Sequence, residues 1–150
     1  MQSLRQVHPR RQGDIGEAAA ISWLTRAGFG VWIPVGHSPD VDLIAQRDQR
    51  LLRVQVKTST ALRNGRYEVS LATKGGNRSW SGRVKTIDPR HYEYLFVLVG
   101  DGRQWFIPAA QIAAKTMLLL GGPKYAVFEV SAATCGSMGV TAGELLDGVH

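Results

Sequence analysis

Gln55 and Lys57 stand two residues apart in the apolar run LLRVQVKTS, residues 51–59, so any strand there points them to the same side. Leu52, Val54, Val56 and Thr58 then form one face, which reads as core, and Arg53, Gln55, Lys57 and Ser59 form the other. A strand this apolar is not a fully wet edge, so Lys57 is expected in a half-buried polar cleft. Asp42 interrupts a second apolar run, VDLIAQ, residues 41–46, where a lone carboxylate is costly without a partner or a cation. If these two runs pair as a hairpin around RDQR, Asp42 comes beside Gln55 and Lys57. The Asp42 carboxylate, the Gln55 side-chain oxygen and the Val56 carbonyl are the hard oxygen ligands that a Mg2+ ion takes, with Mn2+ as a substitute. Such an ion polarises a phosphate and acidifies a bound water. Lys57 can orient that water and offset the charge that grows as a phosphodiester is attacked. Glu17 could hold a water of the metal's shell or assist a second ion. The plainer alternative is that Asp42 and Lys57 form a structural ion pair.

These groups need a scaffold. In GDIGEAAAISWLTRAGFG, Ala20, Ile21, Leu24 and Ala27 recur at helical spacing, and Glu17 falls on the same stripe. Asp14 is the expected N-cap and Gly28 the stop. Residues 29–35, 41–46 and 51–59 read as strands, with the last two joined by RDQR. Asn64-Gly65 marks a turn before an alternating strand, 92–100 reads as a buried strand, and Asp101-Gly102 as a hairpin turn into WFIPA. AAQIAAKTMLLL, 109–120, looks helical, YAVFEVSA is expected as a last strand and TAGELLDG as a short helix. Trp23, Trp32 and Trp105 sit in or beside apolar runs and read as core. The run MLLLGG is either core or a subunit contact. The order implies one α/β domain over residues 13–150, with a central mixed β-sheet flanked by helices, preceded by a flexible basic arm over 1–12.

Charge supports a polyanionic partner. The chain carries a net +6, and residues 1–100 hold 15 lysines and arginines against 8 acids, while 101–150 hold 3 against 4. Candidate DNA contacts are Arg10 and Arg11 in the arm, His37 in the turn before Asp42, Arg53, and Lys74, Arg78, Arg83 and Lys85 in the polar loop KGGNRSWSGRVKT. The four histidines lack zinc-ligand spacing. A single cysteine, Cys135, fits a reducing cytoplasm, and no apolar run is long enough to span a membrane.

GDIGEAAAISWLTRAGFGVWIPV followed by SPDVDLIAQRDQRLLRVQVKTS resembles the PD-(D/E)xK nuclease superfamily. It is most similar to the group I intron-associated endonucleases and more distantly to archaeal Holliday junction resolvases. The pattern is a helical Glu, an Asp at a strand start, and acid-x-Lys on the next strand. Glu17, Asp42 and Lys57 match it, and Gln55 stands at the acid position. Pro39-Asp40 spells the motif's first two letters, but the spacing favours Asp42, which leaves Asp40 as a turn residue. The resemblance implies a restriction-endonuclease-like core, metal-dependent cleavage of double-stranded or branched DNA, and a homodimer or homotetramer. A junction resolvase, or a DNA-binding module that has lost activity at Gln55, are the alternatives.

Overall fold

Helix α1, Pro9–Arg26, begins five residues before the expected cap. His8 is the N-cap and its ring accepts the Arg10 N–H, while Pro9 occupies the first turn, where its missing N–H costs nothing. Residues 9–12 of the expected basic arm are therefore helix, and a short 3-10 turn, Leu4–Gln6, precedes them. The other end is as the sequence implies. Gly28, at φ 91°, donates to Thr25, and Phe29 donates back to Leu24, closing the helix with a glycine in the left-handed region.

The computed structural model describes residues 2–36, 38, 40–73 and 85–131. The strands are β1 (Gly30–Trp32), β2 (Leu43–Arg47), β3 (Arg50–Ser59), β4 (Leu62–Arg63), β5 (Arg66–Ser70), β6 (Ala72–Thr73), β7 (Lys85–Thr86), β8 (Tyr94–Val99), β9 (Gln104–Pro108), β10 (Met117–Leu120) and β11 (Glu129–Val130). The main sheet runs β1-β2-β3-β8-β9-β11. Its β3–β8 pair is parallel and its other pairs are antiparallel, so the sheet is mixed.

Strand alternation sorts the core into two layers. On one face Leu43, Ala45, Leu52, Val54, Val56 and Phe96 pack with Ala20 and Leu24 of α1. On the other, Leu95, Val97, Val99, Trp105 and Ile107 pack against β5 and β10 of a second sheet, ordered β10-β5-β4. The main sheet thus lies between one α-helix and a three-stranded sheet.

Three expectations are corrected. Residues 109–120 are not a helix: Ala109–Gln111 make one 3-10 turn and Met117–Leu120 become β10. Pairing with β5 overrides the helical propensity, and it buries Leu118 and Leu120 while leaving Met117 and Leu119 exposed. The first half of YAVFEVSA belongs to a 3-10 segment, Pro123–Phe128, and Glu129–Val130 are strand. Trp32 is 60% exposed, because β1 is a three-residue edge strand. Its indole N–H bonds the Gln46 side chain on the outside of the sheet. The expected helix in TAGELLDG and Cys135 lie outside the described residues, as do Lys74, Arg78, Trp80 and Arg83. Among the described residues no helix is long and apolar enough to cross a membrane.

Candidate active site

The hairpin that the sequence suggests is present. Leu43 pairs with Val54 and Arg47 with Arg50, and the link is Asp48-Gln49, with Asp48 at φ 53°. Asp42 immediately precedes Leu43, where the pairing ends, and donates its N–H to the Val54 carbonyl, next to Gln55, at 3.0 Å. β2 ends there, while β3 continues to Ser59. Among the described residues no strand pairs with the β2-side edge of β3 from Val56 onward. The Asp42 carboxylate fills the first gap, accepting the Val56 N–H at 2.8 Å. In a strand the C=O of a residue leaves on the same edge as its N–H, so the Val56 carbonyl is directed to the Asp42 side as well.

Gln55 and Lys57 share the opposite strand face from Val54 and Val56, in register with Leu95 and Val97 of β8. Gln55 is only 5% exposed, and its Oε1 has no hydrogen-bond partner. A buried amide oxygen left unpaired costs free energy, and coordination of a cation would recover it. Four other buried side-chain atoms among the described residues are likewise unpaired, and of the five residues Gln55 is the one directly before Val56, whose N–H the Asp42 carboxylate accepts. Lys57 is half-buried, and desolvation lowers its pKa below the ordinary lysine value, with Asp42 partly opposing that shift.

Glu17 arrives from α1. The helix sits close to the end of β3 because Gly16 has no side chain. A Cβ there would fall 2.0 Å from Thr58 Oγ1 and 3.3 Å from Thr58 Cβ. Gly16, Ala20 and Leu24 form the buried stripe, and Glu17 flanks it at the exposed end. Partial desolvation, then the negative charges of Asp42 and Asp14, raise the Glu17 pKa above its ordinary value. Two carboxylates sensing one another beside a desolvated lysine form a locus that a divalent cation would relieve. The oxygens that could hold one are the Asp42 and Glu17 carboxylates, the Gln55 amide oxygen and the Val56 carbonyl. No group of three or more His, Cys, Asp or Glu among the described residues is placed to hold a metal ion by itself. This all-oxygen set fits a hard cation.

The candidate DNA contacts are scattered. Arg10 and Arg11 are exposed on the first turn of α1. Arg53 is committed to Glu93, which takes its guanidinium at 2.6 Å and its backbone N–H at 2.6 Å, and its side chain stays 43% exposed. Lys85 is placed in β7, and His37 lies outside the described residues.

Two elements of the site were not foreseen. Asp40 is not a plain turn residue: it is 9% exposed and its Oδ2 lies 2.8 Å from His91 Nδ1. Gly16 gave a signal that went unused, since a glycine inside an amphipathic helix marks a close approach.

Residues 7–125 match the family described as PD-(D/E)XK endonuclease. The chain belongs to that family. Among solved structures it is similar to the bacterial homing endonuclease I-Ssp6803I, at 24% identity, over 78% of this chain and 80% of that one, with a TM-score of 0.65. It is also similar to Hjc, a Holliday junction resolvase of Archaeoglobus fulgidus, at 16% identity, over 77% and 88% of the two chains, with a TM-score of 0.50. Both similarities are of fold, and they make this a restriction-endonuclease-like core. No curated protein matches the sequence.

Proposed function

We propose that this PD-(D/E)XK family member is a DNA endonuclease that hydrolyses phosphodiester bonds with Mg2+, for which Mn2+ substitutes. The observation that carries the reading is the buried Gln55 Oε1, without a hydrogen-bond partner, one residue before Val56, whose N–H the Asp42 carboxylate accepts. Asp42, Gln55 and the Val56 carbonyl hold the ion, and Glu17 supports its outer shell. A bound divalent cation supplies polarisation of the scissile phosphate and a lower pKa for its water.

The remaining roles belong to the chain. The Asp42 carboxylate is oriented by the Val56 N–H, so its charge faces the site without reorganisation. Lys57 is desolvated, which strengthens its attraction for charge that grows on the phosphate oxygens, and its ammonium can hydrogen-bond the attacking water. Arg10 and Arg11 lie on the helix that carries Glu17 and are suited to phosphate contacts, joined by His37, Lys74, Arg78, Arg83, Lys85 and the exposed side of Arg53. One such site cuts one strand, so cutting both strands of a duplex most simply uses a homodimer.

The test is incubation of supercoiled plasmid and of a four-way junction with Mg2+, Mn2+ or EDTA, alongside Lys57→Ala. Nicking or linearisation that requires the metal and disappears in Lys57→Ala is the expected result. Preferential cutting of the junction would assign the substrate as branched DNA. Tight DNA binding with no cleavage of either substrate in any metal would overturn the reading in favour of an inactive binding module.

A further inference from the structure

The segment that delivers Asp42 runs outside any strand ladder. β1 ends at Trp32, paired with Ile44, and β2 starts at Leu43, and none of the described residues between them, 33–36, 38 and 40–42, belongs to a strand. The Asp42 N–H to Val54 bond is at the end of that segment. Two residues upstream, a side chain does the holding. Asp40 is buried, and its Oδ2 lies 2.8 Å from His91 Nδ1. A carboxylate accepts, so Nδ1 is the ring nitrogen that carries the hydrogen.

His91 stands on a braced platform. Its N–H bonds the Asp88 carbonyl at 3.0 Å, and the Asp88 side chain caps the Arg90 N–H at 2.9 Å. Ile87 and Tyr92 on either side are buried in the second core layer. Glu93 then donates its N–H to the Arg53 carbonyl at 2.9 Å while its carboxylate clasps the Arg53 guanidinium. Arg53 belongs to β3, the strand that bears Gln55 and Lys57. The Asp40–His91 contact therefore ties the Asp42 segment to the same rigid unit on which the other groups stand.

We infer that His91 is a positioning residue, acting through Asp40 to keep the Asp42 carboxylate seated on the Val56 N–H. His91 touches neither metal nor DNA in this role, and the inference rests on the metal-site reading above. Loss of a group that orients a metal's ligands commonly costs about 10- to 100-fold in metal affinity.

The experiment measures Mn2+ binding to the full chain without DNA, by the electron paramagnetic resonance signal of free Mn2+. Half-maximal Mg2+ for plasmid cleavage is measured in parallel. The proteins are wild type, His91→Ala, His91→Asn and, as a reference, Asp42→Ala. His91→Ala is expected to weaken Mn2+ binding about 10-fold or more. It should raise the Mg2+ requirement by a similar factor, with cleavage recovering at saturating Mg2+. His91→Asn, whose amide N–H can replace Nδ1–H, is expected to restore most of the affinity. If His91→Ala does not fold, His91→Phe keeps the ring's bulk and removes the donor. Unchanged Mn2+ affinity in His91→Ala, with affinity lost in Asp42→Ala, overturns the inference and leaves the site standing. An Asn variant as weak as Ala overturns it too. Wild-type affinity in Asp42→Ala overturns the metal site itself, and the inference with it.

Discussion

The Asp42 carboxylate accepts the Val56 N–H at 2.8 Å, at the point where β2 stops and β3 runs on. Asp42 thus closes the strand edge as well as supplying a charge, and substitutions can separate the two. Asp42→Asn keeps an oxygen acceptor and should melt near the wild-type temperature. Asp42→Ala leaves the N–H without its partner and should cost about 1–3 kcal/mol. Both should lose metal-dependent cleavage by about 100-fold or more, the usual scale for removing a charge-stabilising group. Thermal melts beside plasmid assays check this, and an active Asp42→Asn enzyme would count against Asp42 as ligand.

Gly16 sets the height of α1 above β3. Gly16→Ala places a methyl 2.0 Å from Thr58 Oγ1, so the helix must lift or Thr58 must turn. Destabilisation of about 1–3 kcal/mol is expected from such overpacking. Cleavage should fall as Glu17 moves away from Asp42. Adding Thr58→Ala removes the obstructing oxygen and should return part of both losses. A double variant no better than Gly16→Ala would show that the close approach is not what positions Glu17.

Lys57 is held below the ordinary lysine pKa by desolvation. A depressed lysine favours the fold in its neutral form. That contribution is present above the unfolded pKa and is lost as pH falls through the folded one. Near neutral pH the charged ammonium therefore works against stability. Lys57→Met should abolish cleavage yet raise the melting temperature at pH 7, and the gain should shrink as pH climbs toward the unfolded lysine value. A structural ion pair with Asp42 predicts the reverse at pH 7, a lower melting temperature.

Gln55→Glu puts an acid at the family's usual position. Without metal it buries a second carboxylate one residue from the Val56 N–H that holds Asp42, so the variant should melt below wild type in EDTA. With Mg2+ the added charge should tighten binding, and stabilisation grows with ligand concentration over Kd. The rise in melting temperature between EDTA and Mg2+ should therefore be larger in Gln55→Glu than in wild type. Equal rises would separate Gln55 from the metal.

The β2–β3 hairpin was legible because a two-residue link between alternating runs leaves one register, and a slip of one residue would turn Leu43 and Val54 outward. That same alternation put Gln55 and Lys57 on one face. The start of α1 was misread, although Pro9 is a common first-turn residue. The pull of Asp14 as a cap outweighed it. The strand at Met117–Leu120 was hidden, because its four residues take their conformation from β5, nearly fifty positions earlier. His91 was illegible for the same reason: its partner Asp40 is 51 residues away, and no local pattern links them.

The parallel pairing of β3 with β8 sets Val54 beside Tyr94, across a loop of about forty residues. A nascent chain that has emerged as far as Lys57 already carries Glu17, Asp42 and Gln55, but nothing yet covers the inner edge of β3 or bears on Asp40. The frame of the candidate site is complete only with the second half of the domain. Fragments that stop short of β8 hold the candidate residues without the neighbours that position them.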